Sequence, residues 1–348
     1  MHPYMMFFFF IALALGTSIT AMSSHWLLAW MGLEINTLAI LPLMAQHYHP
    51  RAVEATTKYF LTQATAAATL LFASLTNAWL TGQWDIQLMT HPVPTTLAIA
   101  ALSMKLGLAP LHTWLPEVLQ GLNLSTGLII STWQKLAPFI LLIQIPTANQ
   151  QLLILLGVMS SLVGGWGGLN QTQLRKILAY SSIAHLGWMI LILQFSPTLT
   201  LLSLITYLIM TTSAFLAFKY NNTTDINTLA TSWAKAPLIT ATAPLLLLSL
   251  GGLPPMTGFL PKWLILQELT KQELPATAVF MALTALLSLY FYLRLSYAMT
   301  LTVTPNNLAT TTPWRLNTPQ TSMPLALFTL TAIFTLPMAP AIMALLNF

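Results

Sequence analysis

The sequence predicts an all-α polytopic membrane protein with about eleven transmembrane helices, and three observations carry that reading. Only 5% of the 348 residues are charged, 12 Lys+Arg and 7 Asp+Glu, where a soluble globular chain carries roughly a quarter. Apolar residues make up 56% and the mean hydropathy is +0.74, which leaves too little charge to keep a 38.3 kDa surface in water. Apolar stretches of about 20 residues, the length that crosses a hydrocarbon core of about 30 Å, follow one another along the whole chain. No polar segment is long enough for a soluble domain. A soluble globular chain and a disordered one are both excluded. The net charge of +5 is spread without a basic cluster, which argues against a nucleic-acid partner. The sequence has no cysteine, so disulfides and thiolate-held centres, Cys-ligated iron–sulfur clusters among them, are excluded.

The spans follow in order. The first, 3–22, opens at the initiator Met with no basic leader and no small-residue cleavage site, and is expected to be a retained helix. Spans 26–45 and 57–80 come next. The fourth, 94–119, is long and interrupted by Pro110 and Pro116. Spans 124–145, 151–169, 177–195 and 198–218 are uninterrupted, the ninth, 237–270, is again long and proline-broken, and 276–299 and 323–346 complete the set. The longest loop is roughly 300–322. With eleven crossings, the side that holds the N-terminus receives Arg51, Lys58, Arg175, Lys176, Lys219, Lys235, Arg294 and Arg315, against Lys271 alone on the other. By the positive-inside rule the N-terminus faces the negative, cytoplasm-like compartment and the C-terminus the opposite side.

The two interrupted spans share a pattern. Pro110-Leu-His-Thr-Trp114-Leu-Pro116 and Pro255-Met-Thr-Gly-Phe259-Leu-Pro261 both read P-x-x-x-aromatic-L-P, 145 residues apart. Proline removes a helical donor, and matching broken helices in two halves point to an ion or substrate site in an inverted-repeat transporter. Five spans is an odd number, so a second set of five enters from the opposite face. The expected organisation is a first five-helix repeat over 1–145, a second over 149–300, and a loop with a C-terminal helix over 301–348.

Four charges stand where hydrocarbon is expected: Glu34 within 26–45, Lys105 within 94–119, Lys135 within 124–145 and Lys262 beside Pro261. A charge at mid-bilayer costs several kcal/mol unless it faces a bundle interior or water, so each is a functional candidate. Lys58 and Arg294 lie near span ends, where the plain reading is snorkelling, and Glu34 also admits a structural ion pair. His112 sits in the first break, and His185 follows Ser181 and Ser182 in span 177–195; either is suited to proton transfer or to packing. His2, His25, His47, His49 and His91 fall at ends or in loops, and the His47/His49 spacing lacks the partners of a metal site. Gly164-Gly165-Trp166-Gly167-Gly168 closes an apolar span and reads as tight packing or a turn. There is no G-x-G-x-x-G and no Walker A motif, so neither a nucleotide nor a redox cofactor is expected in this chain.

These residues resemble a known family. KLGLAPLHTWLPEV from Lys105, with Lys135 thirty residues later, is similar to the proton-conducting membrane subunits of respiratory complex I and the related Mrp-type cation/proton antiporters. GLEINTLAILP around Glu34, EATTKYFLTQA around Lys58, GLNQTQLRKILAYSSIAHLGWM over 168–189 and LLSLGGLPPMTGFLPKW ending at Trp263 follow the same family in order, over essentially the whole chain. The resemblance implies fourteen helices in full-length members and eleven in the animal form, with the N-terminus in the mitochondrial matrix. It implies a channel glutamate at Glu34 and a partner lysine at Lys58. It implies pumping and bridging lysines at Lys105 and Lys135, the second broken-helix lysine at Lys262, and relay histidines at His112 and His185. Some members carry glutamate where this chain has Lys262, so the exit step differs among them. The resemblance further implies neighbouring membrane-arm subunits and the lipid bilayer as partners, with flavin, iron–sulfur clusters and the quinone site in other subunits. A free-standing sodium/proton antiporter of the same fold, or an assembly scaffold with an idle channel, remain the alternative readings.

Overall fold

The computed structural model describes residues 2–46, 49–146, 150–234, 236–301 and 322–345. Lys235, Arg315, His47 and nearly all of the long loop lie outside the described residues. Within them the chain is almost wholly helical, and β pairing is limited to two isolated bridges, His25 with Asp85 and Gln173 with Asp225.

Six helices begin on a proline: α1 (Pro3–Met22), α3 (Pro50–Thr81), α4 (Pro92–Leu106), α10 (Pro197–Tyr220), α12 (Pro237–Gly251) and α14 (Pro275–Thr300). Proline is suited to that position because its fixed φ is helical and its missing N–H would have had no helical acceptor. Between these lie α2 (Trp26–Met44), α5 (Trp114–Gly121), α6 (Leu124–Ser131), α7 (Trp133–Gln144), α8 (Gln150–Gly168), α9 (Leu174–Ile192), α11 (Ile226–Ala230) and α13 (Phe259–Lys271). The chain ends in α15 (Met323–Phe334) and α16 (Ala339–Leu345).

Both expected interruptions are present. α4 stops at Gly107 and α5 resumes at Trp114; α12 stops at Gly252 and α13 resumes at Phe259. Gly107 and Gly252 hold φ of 79° and 78°, the left-handed conformation that ends a helix without steric cost only in glycine.

Three elements differ from expectation. Helix α3 starts seven residues before the span read from hydropathy, at Pro50, because His49 caps it by accepting from the Arg51 N–H (3.3 Å). Span 124–145 is two helices that meet at Thr132 (φ −115°, ψ −69°), whose hydroxyl donates to the Leu128 carbonyl at 2.6 Å. The C-terminal span is bent by 63° between Met323–Phe334 and Leu336–Ala344, where Pro337 removes a helical donor.

Among the described residues, six helical segments are long and apolar enough to cross a membrane unaided, and a seventh if the bent C-terminal pair is one span. α4 and α12 are each only 15 residues, cut short by their breaks. α3 and α9 have the length, but they carry too many polar side chains to match a uniformly apolar span.

The chain forms two compact units, Met1–Ser160 and Ser161–Phe348, which divide inside α8. In the first, α1 packs on α2, α2 on α3, α3 on α4 and α5, and α7 closes against α1, α2 and α4. In the second, α10 packs against α9, α12, α13 and α15, and α14 against α9, α12 and α13. The glycine run packs tightly: a Cβ at Gly164 would meet the Ala184 backbone at 2.6 Å, and one at Gly167 would run into the Tyr180 ring.

Gly107→Ala is expected to destabilise the protein by about 1–2 kcal/mol from the left-handed backbone alone. The new methyl also lands 2.9 Å from Leu115 Cδ1. Thermal unfolding of the detergent-solubilised protein measures this, and a variant as stable as the parent contradicts it.

Candidate functional site

The first unit gathers three of the four mid-span charges. Lys105 lies in the last turn of α4 and is 5% exposed; its ammonium has no protein hydrogen-bond partner among the described residues. The break beside it is held by Trp114, whose indole N–H donates to the Met104 carbonyl at 3.0 Å. Glu34, half-buried on α2, interacts electrostatically with Lys105 and with Tyr59, and forms no ion pair among the described residues. One of its carboxylate oxygens is buried and unbonded. Lys135 lies in the first turn of α7, 3% exposed, just after the Thr132 break.

Lys105 and Lys135 line one cavity, together with Asn36, Tyr59, Gln63 and Gln134. Its volume, taken at the centre of a water-sized sphere, is about 10 Å³, room for roughly one water molecule. Four buried polar atoms of these residues are unbonded: both amide atoms of Asn36, the Gln63 amide nitrogen and the Lys105 ammonium. Gln134 donates its amide N–H to the Asn36 carbonyl at 3.2 Å. Tyr59 is 2% exposed and meets the Trp114 ring edge-on at 5.7 Å. A buried polar group without a partner costs about 1–3 kcal/mol, so these four atoms are ones that a water in the cavity could satisfy.

The sequence reading missed these three amides and Tyr59. The signal was present: Tyr59 and Gln63 are i, i+4 on one helix face, and an amide inside an apolar span is itself costly.

In the second unit Lys262 lies in the first turn of α13. Its ammonium donates to the carbonyl of Gly251, the last residue of α12, at 2.7 Å, and lies 5.9 Å from the centre of the Trp188 ring. His185 and Lys262 line a cavity of about 20 Å³. The His185 ring is 5.7 Å from that of Tyr207, which in turn lies against Ser182.

The other named residues stand apart from these two cavities. Lys58 is half-exposed and forms ion pairs of 2.8 Å with Glu54, one turn earlier on α3, and 2.8 Å with Glu117 of α5. Its partners are these two acids rather than Glu34. Lys58 holds the Glu54 carboxyl below the usual carboxylate range by a hydrogen bond and by its charge. His112 stays in the first break with Nδ1 3.2 Å from the Pro110 carbonyl. Arg294 donates to the Leu169 carbonyl at 2.8 Å, satisfying the end of α8.

Asn36→Leu replaces the amide by an apolar group of nearly the same shape. Removing two unbonded polar atoms is expected to leave stability within about 1 kcal/mol of the parent, or to raise it. Thermal unfolding checks this, and a loss of several kcal/mol would contradict it.

The chain matches two family descriptions: NADH:quinone oxidoreductase/Mrp antiporter, transmembrane, over residues 23–288, and NADH dehydrogenase subunit 2 C-terminus over residues 289–343. It is 72% identical over 347 residues to the NADH-ubiquinone oxidoreductase chain 2 of Tetraodon nigroviridis, with 100% of each chain covered. Among solved structures it is similar to a chain of respiratory complex I from Thermus thermophilus, with a TM-score of 0.86 and 28% identity over 100% of this chain and 80% of that one. It shares its fold with a chain of the Mrp complex from Dietzia sp., with a TM-score of 0.75 and 18% identity over 83% of this chain and 59% of that one. The chain is therefore a multi-pass membrane protein that belongs to the NADH:quinone oxidoreductase/Mrp antiporter transmembrane family.

Proposed function

We propose that the chain is a core membrane-arm subunit of respiratory complex I that conducts protons across the mitochondrial inner membrane. The driving chemistry, electron transfer from NADH to ubiquinone, belongs to other subunits, and so do the flavin, the iron–sulfur clusters and the quinone site. The observation that carries the reading is that Lys105 and Lys135 line one buried polar cavity inside an apolar unit, with the Glu34 carboxylate acting on Lys105. A charge there costs about 2.5–3.5 kcal/mol by insertion scales, a cost that a passive scaffold has no reason to bear. Near-complete identity of length with relatives named as oxidoreductase chains favours the complex over a free-standing antiporter.

The mechanism follows from electrostatics. Burial favours neutral lysine and a nearby carboxylate favours the ammonium. A change in the surroundings of Glu34 therefore releases or captures the proton on Lys105. Lys135 lines the same cavity, and Asn36, Gln63 and Gln134 offer donors and acceptors for a water between the two lysines. The proton then passes towards Lys262, where His185 shares the cavity. Lys58 and His112 act at the approaches rather than in the centre.

The same reading takes the chain as eleven crossings: two inverted sets of five, over 1–145 and 149–300, and a C-terminal crossing. What supports the repeat is local likeness within each unit. Each has a helix stopped by a left-handed glycine, at 107 and at 252. Each also has one reciprocal backbone pair between the loop before its second crossing and the loop after its third. These are Trp26 N–H to Trp84 carbonyl with Ile86 N–H to Ser24 carbonyl, and Leu174 N–H to Thr224 carbonyl with Ile226 N–H to Thr172 carbonyl. The basic loops then put the N-terminus in the matrix and the C-terminus in the intermembrane space. The partners are the neighbouring membrane-arm subunits and the bilayer.

Lys135→Ala in the assembled complex, reconstituted in proteoliposomes, is expected to lower NADH-driven proton translocation about tenfold or more, since a positioned proton-transfer group contributes roughly 10²–10⁴. Unchanged translocation at a normal yield of complex overturns the proposal. Glu34→Gln is expected to lower NADH oxidation as well, because pumping and electron transfer are coupled; full turnover with either Glu34 or Lys105 neutralised would mark an idle scaffold.

A further inference from the structure

Lys262 is compensated differently from Lys105. In the first unit a carboxylate, Glu34, acts on the buried lysine. The second unit contains Asp225, Glu268 and Glu273, and among the described residues none of them pairs with Lys262; Glu268 is 3.6 Å from Lys271 instead. Two uncharged groups take the place of the acid. The first is the Gly251 carbonyl, 2.7 Å from the ammonium. It belongs to the last turn of α12, where carbonyls have no helical donor and the helix dipole is negative. The second is the face of Trp188, at 5.9 Å, inside the range of about 6 Å over which an indole attracts a cation. Trp188 is 5% exposed, so water screens the attraction little.

The lysine stem has little freedom to leave this arrangement. It runs so close over Gly252 that a Cβ there would lie 2.7 Å from Lys262 Cδ. Trp188 is also one helical turn from His185 on α9, and both line the cavity that holds Lys262.

We propose that the Trp188 ring and the Gly251 carbonyl together hold the charged form of Lys262, which makes Trp188 a positioning residue for proton transfer through the second unit. This rests on the reading of Lys262 as a proton carrier. A ring that served only as core filling would be replaced equally well by any apolar group of adequate bulk. A ring that serves a cation would be replaced by another aromatic group and not by an aliphatic one.

The test uses the assembled complex in proteoliposomes and reads the rate of NADH-driven proton translocation, at matched yield of intact complex. Trp188→Phe keeps an aromatic face, and Trp188→Leu keeps apolar bulk alone. The expected losses are about two- to threefold for Phe and about tenfold for Leu, following the weaker but surviving attraction of a phenyl face. Equal losses for Phe and Leu overturn the proposal. If the Leu variant does not assemble, Trp188→Tyr against Trp188→Met makes the same comparison with the same two outcomes. Lys262→Met is measured alongside: normal translocation in that variant overturns the role of Lys262 itself, and so separates failure of the underlying reading from failure of the inference about Trp188.

Discussion

The expense of placing charge in an apolar interior governs this molecule. A lysine deep among helices has to be answered by a carboxylate, a carbonyl, an aromatic face, a water or the loss of its proton. The two units use different answers. Around Lys105 and Lys135 the surroundings are an acid at a distance and a ring of amides with spare hydrogen-bonding capacity. Around Lys262 they are a helix end and an indole. The first arrangement surrounds its lysines with groups that have hydrogen bonds to spare, and the second gives its lysine two close, uncharged partners.

The helix breaks make both arrangements possible. An unbroken α4 would carry its backbone past Lys105 with every carbonyl paired, and an unbroken α12 would offer Lys262 no free carbonyl at Gly251. Left-handed glycines at 107 and 252 are what end those helices beside the lysines. Pro138 does related work in α7, since it leaves the Gln134 carbonyl without a helical donor one residue before Lys135.

The sequence made the charges legible because a Glu or Lys inside an apolar run is conspicuous. Glu34, Lys105 and Lys135 were read in that way; Lys105 and Lys135 line one cavity, and Glu34 acts on Lys105 from outside it. Asn36, Gln63 and Gln134 were not read, because their convergence depends on how α2, α3 and α7 are rotated about their axes. α2 is apolar nearly all round, so its sequence carries little periodic signal for that rotation. Lys58 shows the same division between local and distant information. Glu54, four residues away, is brought within reach by helical spacing alone, while Glu117, 59 residues away, is brought there by α3 packing against α5. The break at Thr132 had no proline or glycine to announce it. Both proline-marked breaks, by contrast, could be placed to within a few residues.

The shortness of α4 and α12 has a consequence for how such a chain enters a membrane. Each has 15 residues, about 22 Å of helix against a hydrocarbon core of about 30 Å. Neither can partition into lipid as an autonomous segment, because its broken end would leave unpaired peptide groups in oil. Insertion must therefore be cooperative, with α4 held by α3 and α12 by α14, the neighbours against which each packs. The features that equip these helices for charge also make them dependent on their neighbours during biogenesis.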